Sequence, residues 1–268
     1  MGNQLTERSL HDKSVLITGA SSGIGAALAH ELAHRGARVA LLARRENLLG
    51  ELAEEIRSKG GRVAWAAGNV DDEASLHPAL DRLAAELGGI DIVVSNAGHG
   101  KPEPPDEFRP GHAMSVYNTN LLGMLRTFDW ALPGMLERRR GYLVGICSVA
   151  AFFGFADNPG YCGSKAAMRI HLQSLRLSVK AYGIDVTTIC PGYVRTPLVE
   201  QNEFELPFIW EADRAARKIA DIMEKRRREV IFPWQMTGLV VLLSRLLPTP
   251  LAERMMSATF TSTPEKNA

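Results

Sequence analysis

The sequence predicts an α/β fold in which short parallel strands alternate with helices. Two observations predict it. Brief apolar runs recur along the chain, separated by longer stretches with helical periodicity, the pattern of β-α-β units. The first run also leads directly into a glycine-rich loop that opens a helix, Thr18-Gly19-Ala20-Ser21-Ser22-Gly23-Ile24-Gly25. Composition agrees: 268 residues suit one large α/β domain or two small ones, with 46% apolar and 23% charged residues and a net charge of +1, ordinary globular values. That charge gives no electrostatic reason to expect a nucleic-acid partner.

Ser14 to Thr18 is the first strand. In the loop after it, Gly19 permits a tight turn, Gly23 lets backbone approach a pyrophosphate, and Gly25 allows close helix–strand packing. The helix that starts near Ile24 offers its N-terminus to phosphate, with Ser21 and Ser22 beside it. The second strand, Arg38 to Leu42, ends in Ala43-Arg44-Arg45. A chain that binds NAD usually has an acidic residue there for the ribose hydroxyls. Two arginines at a helix start oppose the positive end of its dipole, an arrangement that makes sense around an anion. The expectation is therefore NADP(H), with Arg44 as the main partner of the 2′-phosphate and Arg45 helping. The competing reading is two solvated surface arginines.

The third strand, Arg62 to Ala66, runs to Gly68-Asn69-Val70-Asp71, and the fourth, Asp91 to Ser95, runs to Asn96-Ala97-Gly98-His99. Gly100 to Gly111 reads as a loop. A long helix is expected from about His112 to Glu137, interrupted near Pro133, and it carries Asn120. The fifth strand, Tyr142 to Cys147, ends at Ser148. Thirteen residues on stands Tyr161-Cys162-Gly163-Ser164-Lys165. Asn158 is placed to cap this helix and Pro159 to begin it, and apolar residues recur helically through Met168, Ile170, Leu172, Leu175 and Val179.

Tyr161 and Lys165, at i and i+4, leave the same helix face. A phenol titrates near 10, too high for efficient proton transfer at neutral pH, and an ammonium one turn away pulls that value down. A lone Tyr-x-x-x-Lys is weak evidence. Together with Ser148 and the glycine loop it resembles the short-chain dehydrogenase/reductase family, in the subgroup with T-G-x-x-x-G-x-G, over residues 11 to 233. The resemblance implies a three-layer doubly wound Rossmann fold with about seven parallel strands in the order 3-2-1-4-5-6-7 and a site at their carboxyl ends. It implies catalytic roles for Asn120, Ser148, Tyr161 and Lys165. Tyr161 is the acid/base, Ser148 holds the substrate oxygen, Lys165 also holds the nicotinamide ribose, and Asn120 supports a proton relay. Asn69 stands where relatives carry an Asp that bonds the adenine amine, and its amide oxygen can accept the same bond. Val70 lies in the same motif. Asn96, Ala97 and Gly98 lie against the cofactor and brace the sheet. After the sixth strand, Ile184 to Cys190, come Pro191, Gly192, Tyr193, Val194, Arg195 and Thr196; by resemblance Gly192 nears the nicotinamide, Val194 contacts its carboxamide, and Thr196 reaches the carboxamide or the pyrophosphate. Glu229 to Phe232 is the seventh strand.

Residues 198–212 form the expected substrate loop, with Phe204, Leu206, Phe208, Ile209 and Trp210. With Phe152, Phe153 and Phe155 they suggest an apolar pocket and a lipophilic ketone, aldehyde or alcohol as substrate. The apolar extension, 234–268, contains Gly238 to Leu243, bounded by Pro233 and Pro248 and broken by Arg245. It is too short for a bilayer span of about 20 residues. Burial in the protein or in a homodimer or homotetramer is the first reading. Peripheral membrane contact near the basic run Lys225 to Arg228 is the second. Cys147, Cys162 and Cys190 show no metal spacing and suit reduced thiols. No secretory h-region precedes Lys13, so a cytoplasmic location is expected. The reading that results is an NADP(H)-dependent oxidoreductase; the alternative is a non-catalytic NADP(H) sensor or scaffold on the same fold.

Overall fold

The computed structural model describes residues 9–100, 102–199 and 208–260. Seven strands form one sheet: β1 (Ser14–Thr18), β2 (Arg38–Ala43), β3 (Arg62–Ala67), β4 (Ile92–Ser95), β5 (Gly141–Ile146), β6 (Ile184–Pro191) and β7 (Glu229–Phe232). All are parallel, in the order β3-β2-β1-β4-β5-β6-β7. The expected topology is borne out.

The central strands are apolar on both faces because both are covered. Val15 and Ile17 of β1 face a cluster with helices α1 (Gly23–His34), α2 (Glu46–Ser58) and α7 (Ala212–Glu224). Leu16 and Val93 face the opposite cluster, with α3 (Glu73–Leu87), α5 (Gly123–Glu137) and α6 (Pro159–Val179). A third, small cluster joins Val149 to Met236 and Val240 of α8 (Trp234–Val241). Among the described residues no helix is long and apolar enough to cross a membrane.

Three local expectations change. Pro133 does not interrupt its helix, since α5 runs through it to Glu137. The i→i−4 bond it forfeits would come from the carbonyl of Asp129, a solvent-exposed residue. The segment is divided further upstream instead: α4 (Pro110–Tyr117) passes through a π-helical turn, Asn118–Leu122, into α5. Asn158 occupies the N-cap of α6 without a side-chain cap, because its amide donates to Ala156 O at 3.1 Å.

Candidate active site

The carboxyl ends of β1, β2 and β4 open onto a cleft of about 450 Å³. Its floor is the glycine loop. Gly19 has φ +67, and a Cβ there would stand 2.7 Å from Ala97 Cα. Gly23 has φ +55, with Thr196 Cγ2 3.0 Å from where its Cβ would be. Both positions therefore need glycine twice over, for φ and for space. Ser22 begins α1 in extended geometry without a side-chain cap, which leaves the helix N-terminus to an anion. Gly25 lies beneath, against Gly19 O, Ala20 and Asn96. Asn96 braces the loop, its Nδ2 donating to Thr18 O at 3.0 Å and Gly19 O at 3.2 Å.

Of the predicted cofactor residues, Gly19, Ser21, Ser22, Gly23, Ile24, Arg44, Arg45, Asn69, Val70, Asn96, Ala97, Gly98, Tyr161, Lys165 and Thr196 line the cleft. Arg45, rather than Arg44, is tied to the loop: its guanidinium donates to Ser21 Oγ at 2.8 Å and Ser22 Oγ at 2.6 Å. Arg44 is exposed at the rim. Asn69 Oδ1 accepts from Asp71 N at 3.1 Å, so one side of its amide oxygen is already engaged. Gly25, Pro191, Gly192 and Val194 shape the surrounding backbone. Gly192 N donates to Phe232 O at 2.7 Å, and Val194 bridges to Trp210.

At the other end of the cleft the chemistry-bearing side chains converge. Ser148 is extended, its Oγ accepts from Ala150 N at 3.1 Å, and its hydroxyl is near enough to the Tyr161 phenol to favour the phenolate. Lys165 is buried, donates to Ile146 O at 3.1 Å, and holds Nζ 5.7 Å from the Tyr161 ring centre. Asn120, in the π turn, is fully buried. Its Oδ1 accepts from His99 N at 2.8 Å, and its Nδ2 donates to His99 O at 3.0 Å and Ser164 Oγ at 2.9 Å. Ser164 Oγ in turn donates to Tyr161 O at 2.8 Å. Asn120 Oδ1 and Lys165 Nζ flank Gly98, 3.0 and 3.4 Å from where its Cβ would be.

The electrostatics differ from the sequence expectation. Burial pushes the Tyr161 phenol up to about 12, against the lowering effect of the Ser148 hydroxyl; the buried thiols of Cys162, Cys147 and Cys190 add to the rise. Burial pushes Lys165 down. The enclosure that brings the pair together also removes water from both, and desolvation is the largest effect on each. Tyr161 is thereby held in its proton-donating form across the neutral range.

Several residues of the site carried no sequence signal of their own. Thr119 and Cys147 line the cleft beside Asn120 and Ser148, detectable only as neighbours of a motif. Thr18 Oγ1 accepts from both Asn96 N and Ala97 N at 3.1 Å. Phe204 and Leu206 lie outside the described residues. Trp210 packs on Phe232, ring centres 5.3 Å apart, under Arg214, and so serves the core. Phe152 lies under Arg169, and Phe153 meets Phe155 edge-on. The basic run, residues 225–228, precedes β7 whereas α8 follows it, so the two lie at opposite ends of the sheet; Arg226 is stacked on Tyr142.

A doubly wound sheet with a phosphate-cradling glycine loop and a Ser–Tyr–Lys cluster at one crevice defines a dinucleotide-dependent oxidoreductase. Comparison gives the family. The model of the short chain dehydrogenase family matches residues 13–206. An uncharacterized oxidoreductase of Myxococcus xanthus is 36% identical over 239 residues, 89% of this chain and 94% of that protein. A cis-4-hydroxycyclohexanecarboxylate dehydrogenase of Sinomonas cyclohexanicum is 35% identical over 219 residues, 81% of this chain and 84% of that one. Among solved structures, a gluconate 5-dehydrogenase from Burkholderia cenocepacia in complex with NADP and tartrate superposes with a TM-score of 0.79 at 26% identity, covering 87% of this chain and 98% of that one. The chain belongs to the short-chain dehydrogenase/reductase family. It is an oxidoreductase of the CH–OH/carbonyl couple that uses a nicotinamide cofactor.

Proposed function

We propose that the protein is an NADP(H)-dependent reductase/dehydrogenase of lipophilic ketones or aldehydes and their alcohols, with Tyr161 as the acid/base. The observation that carries this reading is the convergence of Tyr161 and Lys165, with Ser148 near enough to the phenol to favour its phenolate, at the end of a cleft floored by the glycine loop. The cradle fits a dinucleotide: Gly19 and Gly23 leave room only for backbone, and the uncapped start of α1 suits a pyrophosphate. When bound, the nicotinamide supplies or takes the hydride. The chain's own residues manage the oxygen and the proton. In reduction the Ser148 hydroxyl orients the carbonyl oxygen and Tyr161 gives it a proton as negative charge develops there. Lys165 places a cation beneath the phenol, which steadies the phenolate left behind, and Asn120 supports the relay that restores the proton. Arg44 is assigned to the 2′-phosphate, supported by its place at the rim and by Ala43-Arg44-Arg45 at the end of β2, where an NAD-binding chain usually has an acidic residue. Arg45 helps from the loop. A lipophilic substrate is supported by the apolar cluster of Val149, Met236 and Val240 beside Ser148. A homo-oligomer is supported by Ile170 and Leu177, exposed seven residues apart on α6.

The test follows nicotinamide absorbance with NADPH or NADH and a panel of carbonyls, with Tyr161→Phe alongside. Turnover should fall about 10²- to 10⁴-fold, the usual worth of a positioned proton donor, with NADPH binding intact. Equal loss of turnover and binding would overturn the role of Tyr161. Tight NADPH binding by the wild type without turnover on any carbonyl or alcohol would favour a sensor.

A further inference from the structure

Two thiols that the proposed chemistry does not use stand side by side at the reacting end. Ile146 pairs with Ile189 across β5 and β6, and Cys147 N donates to Ile189 O at 2.7 Å. The residues that follow, Cys147 and Cys190, are therefore neighbours across the two strands. Both belong to the apolar cluster on one face of the sheet, so their side chains leave on the same side. Cys162, the third thiol, is engaged elsewhere, its sulfur accepting from Phe155 N at 3.3 Å.

The paired sulfurs are not equivalent. Cys190 is fully buried, whereas Cys147 lines the cleft. Lys165 Nζ donates to Ile146 O at 3.1 Å, which sets an ammonium against the peptide that joins Ile146 to Cys147. The neighbouring Cys190 lowers the Cys147 thiol against the effect of burial, and the Lys165 charge lowers it further; Cys190 is pushed well up by Cys147 and by burial. Thiols react through the thiolate, and reactive cysteines occupy electropositive, partly open places while structural ones buried in apolar surroundings are inert. Cys147 fits the first description, and Cys190 stands behind it where a resolving thiol is needed.

We infer that Cys147 and Cys190 are a redox-controlled dithiol, which hydrogen peroxide entering through the cleft converts to a disulfide that switches the site off. The Cys147 thiolate attacks one peroxide oxygen: an S–O bond forms, the O–O bond breaks, and the hydroxide released takes up a proton to become water. The Cys190 sulfur then attacks the Cys147 sulfur: the S–S bond forms, the S–O bond breaks, and hydroxide leaves with the Cys190 proton as a second water. Two thiols lose two electrons and the peroxide gains them. The consequence for the site is geometric. Neighbouring strands lie about 4.8 Å apart, and a disulfide holds its Cβ atoms about 3.8 Å apart, so closure draws the ends of β5 and β6 together by about 1 Å. Ser148 follows one cysteine, and Pro191 and Gly192 follow the other.

The experiment treats the full chain with hydrogen peroxide, blocks the remaining thiols in denaturant, and maps the peptides by mass spectrometry. The peptides that carry Cys147 and Cys190 should be joined, turnover should fall about 10²-fold, the cost of a displacement of about 1 Å, and dithiothreitol should reverse both. NADP+ at about 100 times its Kd should slow the linkage by up to about 100-fold, because it fills the route to Cys147. Cys190→Ala should give no linked pair and leave Cys147 as a sulfenic acid that dimedone captures, whereas Cys162→Ser should link as the parent does. Thermal unfolding establishes that both variants are folded. Cys147 and Cys190 both free after peroxide, a bond to Cys162 in their place, or a linked pair with unchanged turnover would overturn the proposal. An equal linkage rate with and without NADP+ would overturn the cleft as the route. Absence of turnover before peroxide would strike the proposed carbonyl/alcohol activity instead, while the linked pair, read without turnover, still decides the dithiol.

Discussion

Replacing Asn120 with alanine separates what this side chain holds together from what it does in turnover. Three hydrogen bonds disappear, to His99 N, His99 O and Ser164 Oγ. Leaving a buried polar group unpaired costs about 1–3 kcal/mol, but the three are not equal. The two His99 groups are partly buried, so water can enter where the amide stood. Only the Ser164 bond is fully buried, and Ser164 Oγ keeps its bond to Tyr161 O. The sum then falls at about 2–4 kcal/mol. For a domain of this size each kcal/mol moves the melting temperature by about 2–4 °C, so Asn120→Ala should melt about 4–16 °C lower. Circular dichroism thermal scans at fixed NADPH concentration measure this directly. Asn120→Asp should be worse at neutral pH, because its carboxylate meets the carbonyl oxygen of His99 where an N–H donor stood. A melting temperature within about 2 °C of the parent would show that the π turn keeps its shape without these bonds, and the reasoning would fail.

Arg44→Ala should weaken NADPH by about 10- to 150-fold, the worth of a charge-assisted bond, and leave NADH nearly unchanged; equal weakening in titrations of both would remove Arg44 as the phosphate partner. Arg45→Ala should weaken both cofactors, because it frees Ser21 and Ser22 in the loop that both cofactors share. Stability should decline in alkali. Burial raises the Tyr142 phenol to about 12, from about 10 in an unfolded chain. Between those values the unfolded chain releases a proton that the folded chain keeps, so this residue contributes a loss of about 1.4 kcal/mol per pH unit, and nothing below pH 10. Urea unfolding across this window should show a shallower pH slope for Tyr142→Phe, and an unchanged slope would contradict the assignment.

Much of this molecule can be read from residue order, and the exceptions share a cause. The central strands were legible because both of their faces are buried, so their apolar runs are continuous. The glycine loop was legible because steric demands at Gly19 and Gly23 admit few other residues. Tyr161 and Lys165 were legible because their helical spacing joined Ser148 and the glycine loop in one resemblance. The π turn at 118–122 was not, since the residues of a five-residue turn differ little from those of an α turn. Arg45 rather than Arg44 meets Ser21 and Ser22, a contact across more than twenty residues that no local pattern encodes. Asn158 turned its amide to Ala156 instead of the helix it precedes, a choice between two nearby backbone partners. The Tyr161 phenol rose because of water excluded by the whole fold.

The three cysteines give the chain a built-in clock. Cys147 and Cys190 end neighbouring strands β5 and β6, Cys162 lies on α6, and all three are buried free thiols. Cys147 lines the cleft, so its labelling reports whether the cleft is filled, whereas a large alkylating reagent reaches Cys162 and Cys190 only when the surrounding structure opens, and their labelling rates count opening events. Cys162 should be modified before Cys190 if the start of α6 frays independently, and the two together if the central sheet opens only as a unit. Mass spectrometry after timed alkylation, with and without bound nucleotide, would thus map which part of the protein breathes and which part the nucleotide holds shut.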